Sequence, residues 1–170
     1  MRYVGMGDSA KTLLDAFASQ LVANDQNFPL PGSRYVGAGE IPWDGEGLYV
    51  YLAGGFTGQP GQPVATNIVS VNAMTYAVSF YVMLVRGVSS FGYWNSDGLA
   101  IPDDVNLEAE GIQAVNDAGA LVQAAIDIKD SGLIVRNGQT GFVIGQVTPV
   151  GPQGGLAAMR LQLDLSVDGS

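Results

Sequence analysis

Residues 74–86, MTYAVSFYVMLVR, form the clearest strand pattern in this chain of 170 residues. Side chains alternate between the two faces of a strand. One face of this strand is therefore apolar along its whole length, and its members are Tyr76, Val78, Phe80, Val82 and Leu84. The other face is mixed rather than hydrophilic, with Thr75, Ala77, Ser79, Tyr81 and Met83. A mixed second face predicts that a loop or another chain covers it.

Two helices are predicted, one before and one after this strand. The first begins with a cap at Asp8 or Ser9 and runs to about residue 23, because four apolar residues fall on one stripe. Those four are Leu13, Leu14, Phe17 and Leu21. The second covers 107–129, where acidic residues crowd the start and Lys129 lies at the end, as the helix dipole favours. Apolar and small residues cover most of its surface, so we expect it to lie across the sheet.

Further strands are predicted at LYVYLA (48–53), LIVR (133–136), GFVIGQVT (141–148) and LAAMRLQLDLSV (156–167), with GPQGG (151–155) as a turn. The last strand alternates, and the side chains expected to point outward are Arg160, Gln162, Asp164 and Ser166. The element order is α, β, β, α, β, β with one extra strand. This order indicates the α+β class: an antiparallel-rich mixed β-sheet with two α-helices packed on one face.

The length of the chain predicts a single domain over residues 1–170. Two stretches rich in glycine and proline or in turn residues, 54–67 and 87–105, are predicted to be long loops. Loops of this length in a compact domain commonly carry function. We therefore expect their aromatic residues to contact neighbouring subunits or partners.

The composition narrows the classes of function. The chain has no cysteine and no histidine, which excludes disulfides, thiolate metal sites and serine–histidine catalysis. Its net charge of −9 gives no basic surface for a phosphate backbone. Hydrophobic residues make up 47% of the chain and charged residues only 14%, so some apolar surface is expected to face partner subunits. No apolar run is long enough to span a membrane and no signal peptide is visible, which favours synthesis in a cytoplasm.

Three carboxylates lie close together in EIPWDGEGLYVYL (40–52), and they are Glu40, Asp44 and Glu46. A glycosidase pair must be held across a cleft, whereas these groups share one glycine-containing loop. A calcium loop would need a third alternating ligand, which is missing. We therefore interpret the segment as a structural corner in which Trp43 anchors the chain and the turn leads into a strand. The sequence predicts no catalytic residue, no cofactor, no metal site and no enzymatic activity.

Three elements of the chain are similar to a pattern found in the tail terminator proteins of long-tailed, siphovirus-type bacteriophages, especially those of actinobacterial hosts. The first is W-D-x-x-x-L-x-V, matched by Trp43, Asp44, Leu48 and Val50. The second is F-x-V-x-L-x-R, matched by Phe80, Val82, Leu84 and Arg86. The third is the G-P-x-G-G turn before the last strand, matched by Gly151, Pro152, Gly154 and Gly155. The resemblance extends over nearly the whole chain.

The resemblance implies a virion protein, assembled in the host cytoplasm, that forms a hexameric ring at the head-proximal end of the tail tube. Such a ring stops tube polymerisation, contacts the tail tube protein and the head-closure protein, and lets DNA pass without binding it specifically. The predicted subunit or partner interface consists of Trp43, Asp44, Phe56, Tyr81, Met83, Phe91, Tyr93 and Trp94. Two alternatives stay open: another head–tail connector, such as a stopper or neck protein, and a non-viral module that binds a small ligand in the covered sheet face.

If the chain forms an acidic ring, we expect acidic side chains to line its channel. Outward acidic residues would contribute to the lining, with Asp164 as one candidate. The arginines would pair with carboxylates or face protein partners, and those considered are Arg34, Arg86, Arg136 and Arg160.

Overall fold

The computed structural model describes residues 6–30, 32–37, 45–57, 75–89, 94–95, 98–99, 104–133, 142–153 and 155–168. The two helices are α1, Met6–Asn24, and α2, Asp104–Asp130. Five strands form one sheet: β1 Ser33–Gly37, β2 Gly47–Thr57, β3 Thr75–Gly87, β6 Phe142–Gln153 and β7 Leu156–Asp168. Two short strands, β4 Trp94–Asn95 and β5 Gly98–Leu99, pair separately.

The sheet has the order β1-β2-β3-β7-β6. Strand β1 runs parallel to β2, and every other neighbouring pair is antiparallel. The two 13-residue strands β3 and β7 form its centre, paired from Thr75 opposite Asp168 to Gly87 opposite Leu156. This mixed sheet with two helices confirms the predicted α+β fold.

The main core lies between the sheet and the two helices. Alternate residues of β3, namely Val78, Phe80, Val82 and Leu84, are buried there. Helix α1 packs over β1 and β2, while α2 packs over β6 and β7, and the helices also contact each other. The buried side of α1 consists of the four predicted apolar residues together with Ala10 and Ala18. The apolar row that the sequence predicted along β3 is therefore confirmed for these four residues.

Several predicted boundaries are corrected by the structure. Helix α1 begins at Met6, so Asp8 lies in its first turn and does not cap it. Helix α2 begins at Asp104, because an acidic residue at a helix N-terminus is favourable and the helix can extend to include it. Strand β2 continues to Thr57, so the first four residues of the predicted 54–67 loop belong to a strand. The predicted 87–105 loop contains the β4–β5 pair and the start of α2.

The C-terminal hairpin follows the prediction in outline and differs in two places. Strand β6 extends through Gln153, so only the last part of GPQGG forms the turn, where Gly155 has a φ of 79° that favours glycine. The predicted inward residues Leu161, Leu163 and Leu165 are buried. Asp164 lies on the outward face of β7 as predicted, opposite Ser79 of β3, but it is only 8% exposed, so its expected contact with solvent is wrong. The reason is that the second face of the sheet is itself covered at this point, and Ser79 of β3 supplies a buried hydrogen-bond donor.

Candidate functional site

The sheet face opposite the helices carries a second buried cluster. Its members are Tyr49, Tyr51, Met83, Val85 and Ala158, with Tyr81, Val150 and Leu156 partly buried against them. Each of the five buried members exposes 5% or less of its surface in the single chain. This part of the mixed face predicted from the sequence is therefore covered within one chain.

Four tyrosines and one arginine line this face in a band that crosses three strands and reaches a fourth. Strand register places Tyr35 of β1 opposite Tyr49 of β2, and their rings stack with centroids 5.4 Å apart. Register also places Tyr51 of β2 opposite Tyr81 of β3, with ring centroids 5.3 Å apart. Arg160 of β7 lies over the Tyr81 ring, with its Cζ 4.5 Å from the centroid. These five residues are called the tyrosine band below.

Arg160 is held in the tyrosine band by its contact with an aromatic face. Its Nε is buried and has no hydrogen-bond acceptor among the described residues. A cation over a tyrosine ring is attracted by the ring quadrupole, which partly offsets the loss of water. Among the residues that the structure describes, Arg160 forms no ion pair. The prediction that it pairs with a carboxylate or faces a partner therefore stays a prediction.

The tyrosine band opens at one edge of the sheet. Among the strands that the structure describes, β1 is the edge strand and pairs with β2 alone. Tyr35 and Val36 are 47% and 41% exposed there. An edge strand also presents unpaired backbone donors and acceptors. This edge combines apolar side chains with backbone groups that no other described strand pairs, which is the combination that strand-to-strand contact uses.

A cleft of about 190 Å³ lies on the helix side, at the end of the sheet where β3 ends and β7 begins. Its polar groups are already paired. Arg86 donates from Nε to Asp117 Oδ2 at 2.5 Å and from Nη2 to Asp117 Oδ1 at 2.8 Å. Gln113 Nε2 donates to Asp117 Oδ1 at 2.8 Å, and Glu110 accepts from the backbone N–H and the hydroxyl of Ser89. The predicted pairing of Arg86 with a carboxylate is confirmed.

The described end of the 40–52 segment binds the sheet. The Glu46 carboxylate accepts a 2.6 Å hydrogen bond from the backbone N–H of Gly87 at the end of β3. The Tyr49 hydroxyl donates to the carbonyl oxygen of Gly45 at 2.9 Å. Both contacts fix the chain where it turns into β2, which confirms the structural interpretation for Gly45 to Gly47. Glu40, Trp43 and Asp44 lie outside the described residues.

The predicted interface residues fall into three groups. Tyr81 and Met83 lie on the sheet face opposite the helices, with Tyr81 half-buried in the tyrosine band and Met83 buried beside it. Phe56 pairs with Ala77 in the ladder of β2 and β3, and Trp94 pairs with Leu99 between β4 and β5. Trp43, Asp44, Phe91 and Tyr93 lie outside the part of the chain that the structure describes, as does Arg136.

Sequence reasoning missed the role of Tyr35 and the stacking of Arg160. The signal for Tyr35 was weak, because β1 has only five residues and its sequence, SRYVG, has no alternating apolar pattern. The signal for Arg160 was its place in the outward row of β7, which indicated the correct face but not the ring beneath it.

No protein-family model matches the chain, and a search of curated proteins gives no match. Neither described helix is long and apolar enough to cross a membrane.

Proposed function

We propose that this chain is a structural virion protein, a tail terminator that forms a ring at the head-proximal end of a phage tail tube. In this role it stops polymerisation of the tube and presents a face to the head-closure protein. The proposal gives it no enzymatic activity, and it places assembly in the host cytoplasm. A neighbouring connector of the same neck, such as a stopper protein, is the closest alternative.

The exposed edge at Tyr35 and Val36 is the observation that carries this proposal. Aromatic residues are enriched where proteins contact each other, because they bury much area at a low entropic cost. The edge continues into the tyrosine band, so a neighbouring subunit could contact side chains and backbone groups together. Head-to-tail contact between such an edge and a different surface of the next copy generates a ring when the rotation closes.

The charge of the chain supports passage of DNA through the ring. Six copies would carry a formal charge of −54, six times −9. Like charge repels the duplex over a screening distance of about 8 Å at physiological salt. Asp164 cannot serve in the lining because it is buried. The exposed acids in the described part of the chain are the remaining candidates, and they include Asp8, Asp15, Glu108 and Asp130 of the helices.

A small-ligand-binding module is the second candidate, and the cleft beside Arg86 favours it. Two features of the cleft weigh against this function. Its volume of about 190 Å³ is below the ~300 Å³ at which pockets for drug-sized ligands usually begin. Its polar groups bind one another, with Asp117 holding Arg86 and Glu110 holding Ser89, so a ligand would have to displace existing bonds.

Light scattering across a range of protein concentrations separates the two candidates. The assembly protein should show a mass that rises from 17.7 kDa towards six times that value as concentration increases. A strictly constant mass of one chain, together with saturable binding of a small molecule in the cleft, would favour the ligand-binding module.

A further inference from the structure

The cleft beside Arg86 has apolar walls and an excess of negative charge. Its walls come from α2, β6, the start of β7 and the end of β3, and their apolar residues include Leu84, Ala114, Pro149, Ala157 and Met159. Arg86 and Asp117 form an ion pair, so their charges cancel. Glu110 also lines the cleft, and it takes part in no ion pair among the described residues. The cleft therefore suits an apolar side chain that has a cation beside it.

The open edge of the sheet presents that combination of side chains. Strand register places Arg34 opposite Leu48 and Val36 opposite Val50, so both lie on the helix side of β1. Val36 is 41% exposed, and Arg34 is exposed too and forms no ion pair among the described residues. Alternate residues of a strand lie about 7 Å apart, so one cleft and its rim can contact both side chains.

These two surfaces lie at opposite edges of the described sheet. Strand β1 is one edge and β6 is the other, in the order β1-β2-β3-β7-β6. The cleft borders β6, so the β1 edge cannot reach the cleft of its own chain. A contact between the two would use different surfaces on two copies. Such a head-to-tail contact generates a ring when the rotation closes.

Strand β6 is poorly suited to direct pairing with the β1 edge of another copy. Its register with β7 shifts after Ile144 and again after Val150. Pro149 and Pro152 also lie in this strand, and proline has no backbone N–H to donate. Register irregularities and prolines protect an edge strand from pairing with another chain. We therefore expect side chains, rather than a continuous ladder, to join one copy to the next on this side.

We propose that Val36 of one copy enters the cleft beside Arg86 of the next copy, where Arg34 pairs with Glu110. The inference rests on the proposed ring and names the surface that receives the β1 edge. Copies with a net charge of −9 repel each other, and an arginine placed on an unpaired carboxylate offsets part of that repulsion at the contact. The volume of about 190 Å³ is small for a drug-sized ligand but suits a single aliphatic side chain.

Charge reversal tests the pairing of Arg34 with Glu110. Arg34→Glu should weaken self-association at least about tenfold in light scattering, because two carboxylates would meet at the contact. Glu110→Lys should weaken it as well, and the variant that carries both changes should recover the association. Lys129→Glu is the control, since it makes the same charge change at an exposed residue away from the cleft, and it should associate like the parent. Glu110 also binds Ser89, so thermal unfolding of each variant is measured alongside.

Cysteine cross-linking locates the contact without changing any charge, because the chain contains no cysteine of its own. A disulfide requires two Cα atoms within about 7 Å of each other. Val36→Cys is combined in one chain with either Ala114→Cys or Ala157→Cys, and at least one combination should give a ladder of covalent oligomers under mild oxidation. Val22→Cys with the same partners is the control and should give no ladder, since Val22 has a similar exposure of 43% but lies on α1.

The outcomes separate this inference from the proposed function. If oligomers form and neither combination gives a ladder, the inference is overturned and the proposed ring is unaffected. The same holds if a folded variant with both charge reversals associates no better than Arg34→Glu. A parent chain that stays a monomer at every concentration would overturn both the inference and the proposed ring.

Discussion

Arg86 at the end of β3 and Asp117 in the middle of α2 form a two-point ion pair between the sheet and the helix that covers it. The two hydrogen bonds measure 2.5 and 2.8 Å, and the side chains are 16% and 4% exposed. Arg86 Nη1 also donates to the carbonyl oxygen of Pro29, and its guanidinium lies 5.3 Å from the centroid of the Phe28 ring. Arg86 thus connects β3, α2 and the segment after α1.

Removal of one partner of this pair should be costly. Asp117→Ala leaves a largely buried guanidinium without its carboxylate, and we expect a loss of about 3–5 kcal/mol in the free energy of unfolding. Replacement of both partners by apolar residues, Arg86→Met with Asp117→Leu, should cost much less, because no buried charge remains. Denaturant unfolding of the two variants measures the difference.

The exposed pair of Lys11 and Asp15 on α1 is the control for this experiment. It has a similar distance of 2.7 Å, but its side chains are 62% and 54% exposed. Asp15→Ala should change stability by no more than about 0.5 kcal/mol. Equal effects of Asp117→Ala and Asp15→Ala would show that the Arg86 pair does not hold the helix to the sheet.

The buried hydrogen bond between Ser79 and Asp164 gives a second prediction. Ser79 Oγ donates to Asp164 Oδ1 at 2.5 Å across the central strand pair, and Gln162 Nε2 lies 3.3 Å from the same oxygen. Ser79→Ala removes one donor from a buried carboxylate and should cost about 1–3 kcal/mol. Thermal unfolding measures it, with Ser19→Ala on the exposed side of α1 as control. A Ser79→Ala variant as stable as the parent would mean that Asp164 is solvated after all.

The open edge at β1 gives a prediction that separates folding from assembly. Tyr35→Glu loses one cross-strand aromatic contact, so the unfolding free energy should fall by no more than about 1 kcal/mol. Association should be lost, because a charge would be buried at the contact. Light scattering measures the association, and Thr12→Glu on the exposed side of α1 is the charge-matched control. A Tyr35→Glu variant that still associates as the parent does would remove the edge from the interface.

The acidic charge of the surface is testable with nucleic acid. The proposed channel repels duplex DNA, so the purified protein should show no measurable binding in a fluorescence anisotropy titration at low salt. Micromolar affinity that weakens steeply with added salt would indicate phosphate contacts by a basic surface. That result would contradict the account of the channel.

The alternation along β3 and β7 and the apolar stripe of α1 predicted the main layers correctly. These patterns are local, because each residue's face follows from its position along one strand or helix. The burial of Asp164 could not be predicted from its neighbours in the sequence. It depends on Ser79, which lies 85 residues away in the sequence. The partner of Arg86 could not be predicted from the sequence either. In the sequence, Asp117 is only one polar residue on a helix with apolar residues on most sides.

Strand β1 shows why short parallel strands escape prediction. Its sequence SRYVG has neither an alternating pattern nor a continuous apolar run, and three of its five residues are exposed. The strand forms because its backbone pairs with that of β2, with Arg34 opposite Leu48 and Val36 opposite Val50. Close approach there also requires Gly47, where a Cβ would lie 2.9 Å from the carbonyl oxygen of Ser33. Only the tertiary structure contains that information.

Electron microscopy of tail tubes tests the proposed function most directly. The tube protein that the proposal pairs with this chain would be polymerised with and without the purified chain, and tube ends and lengths would be compared. The account predicts a ring of six copies at one end of each tube and an arrest of growth there. Tyr35→Glu serves as the control that should not arrest growth. Tubes of unchanged length with bare ends, the same with the parent as with Tyr35→Glu, would contradict the account.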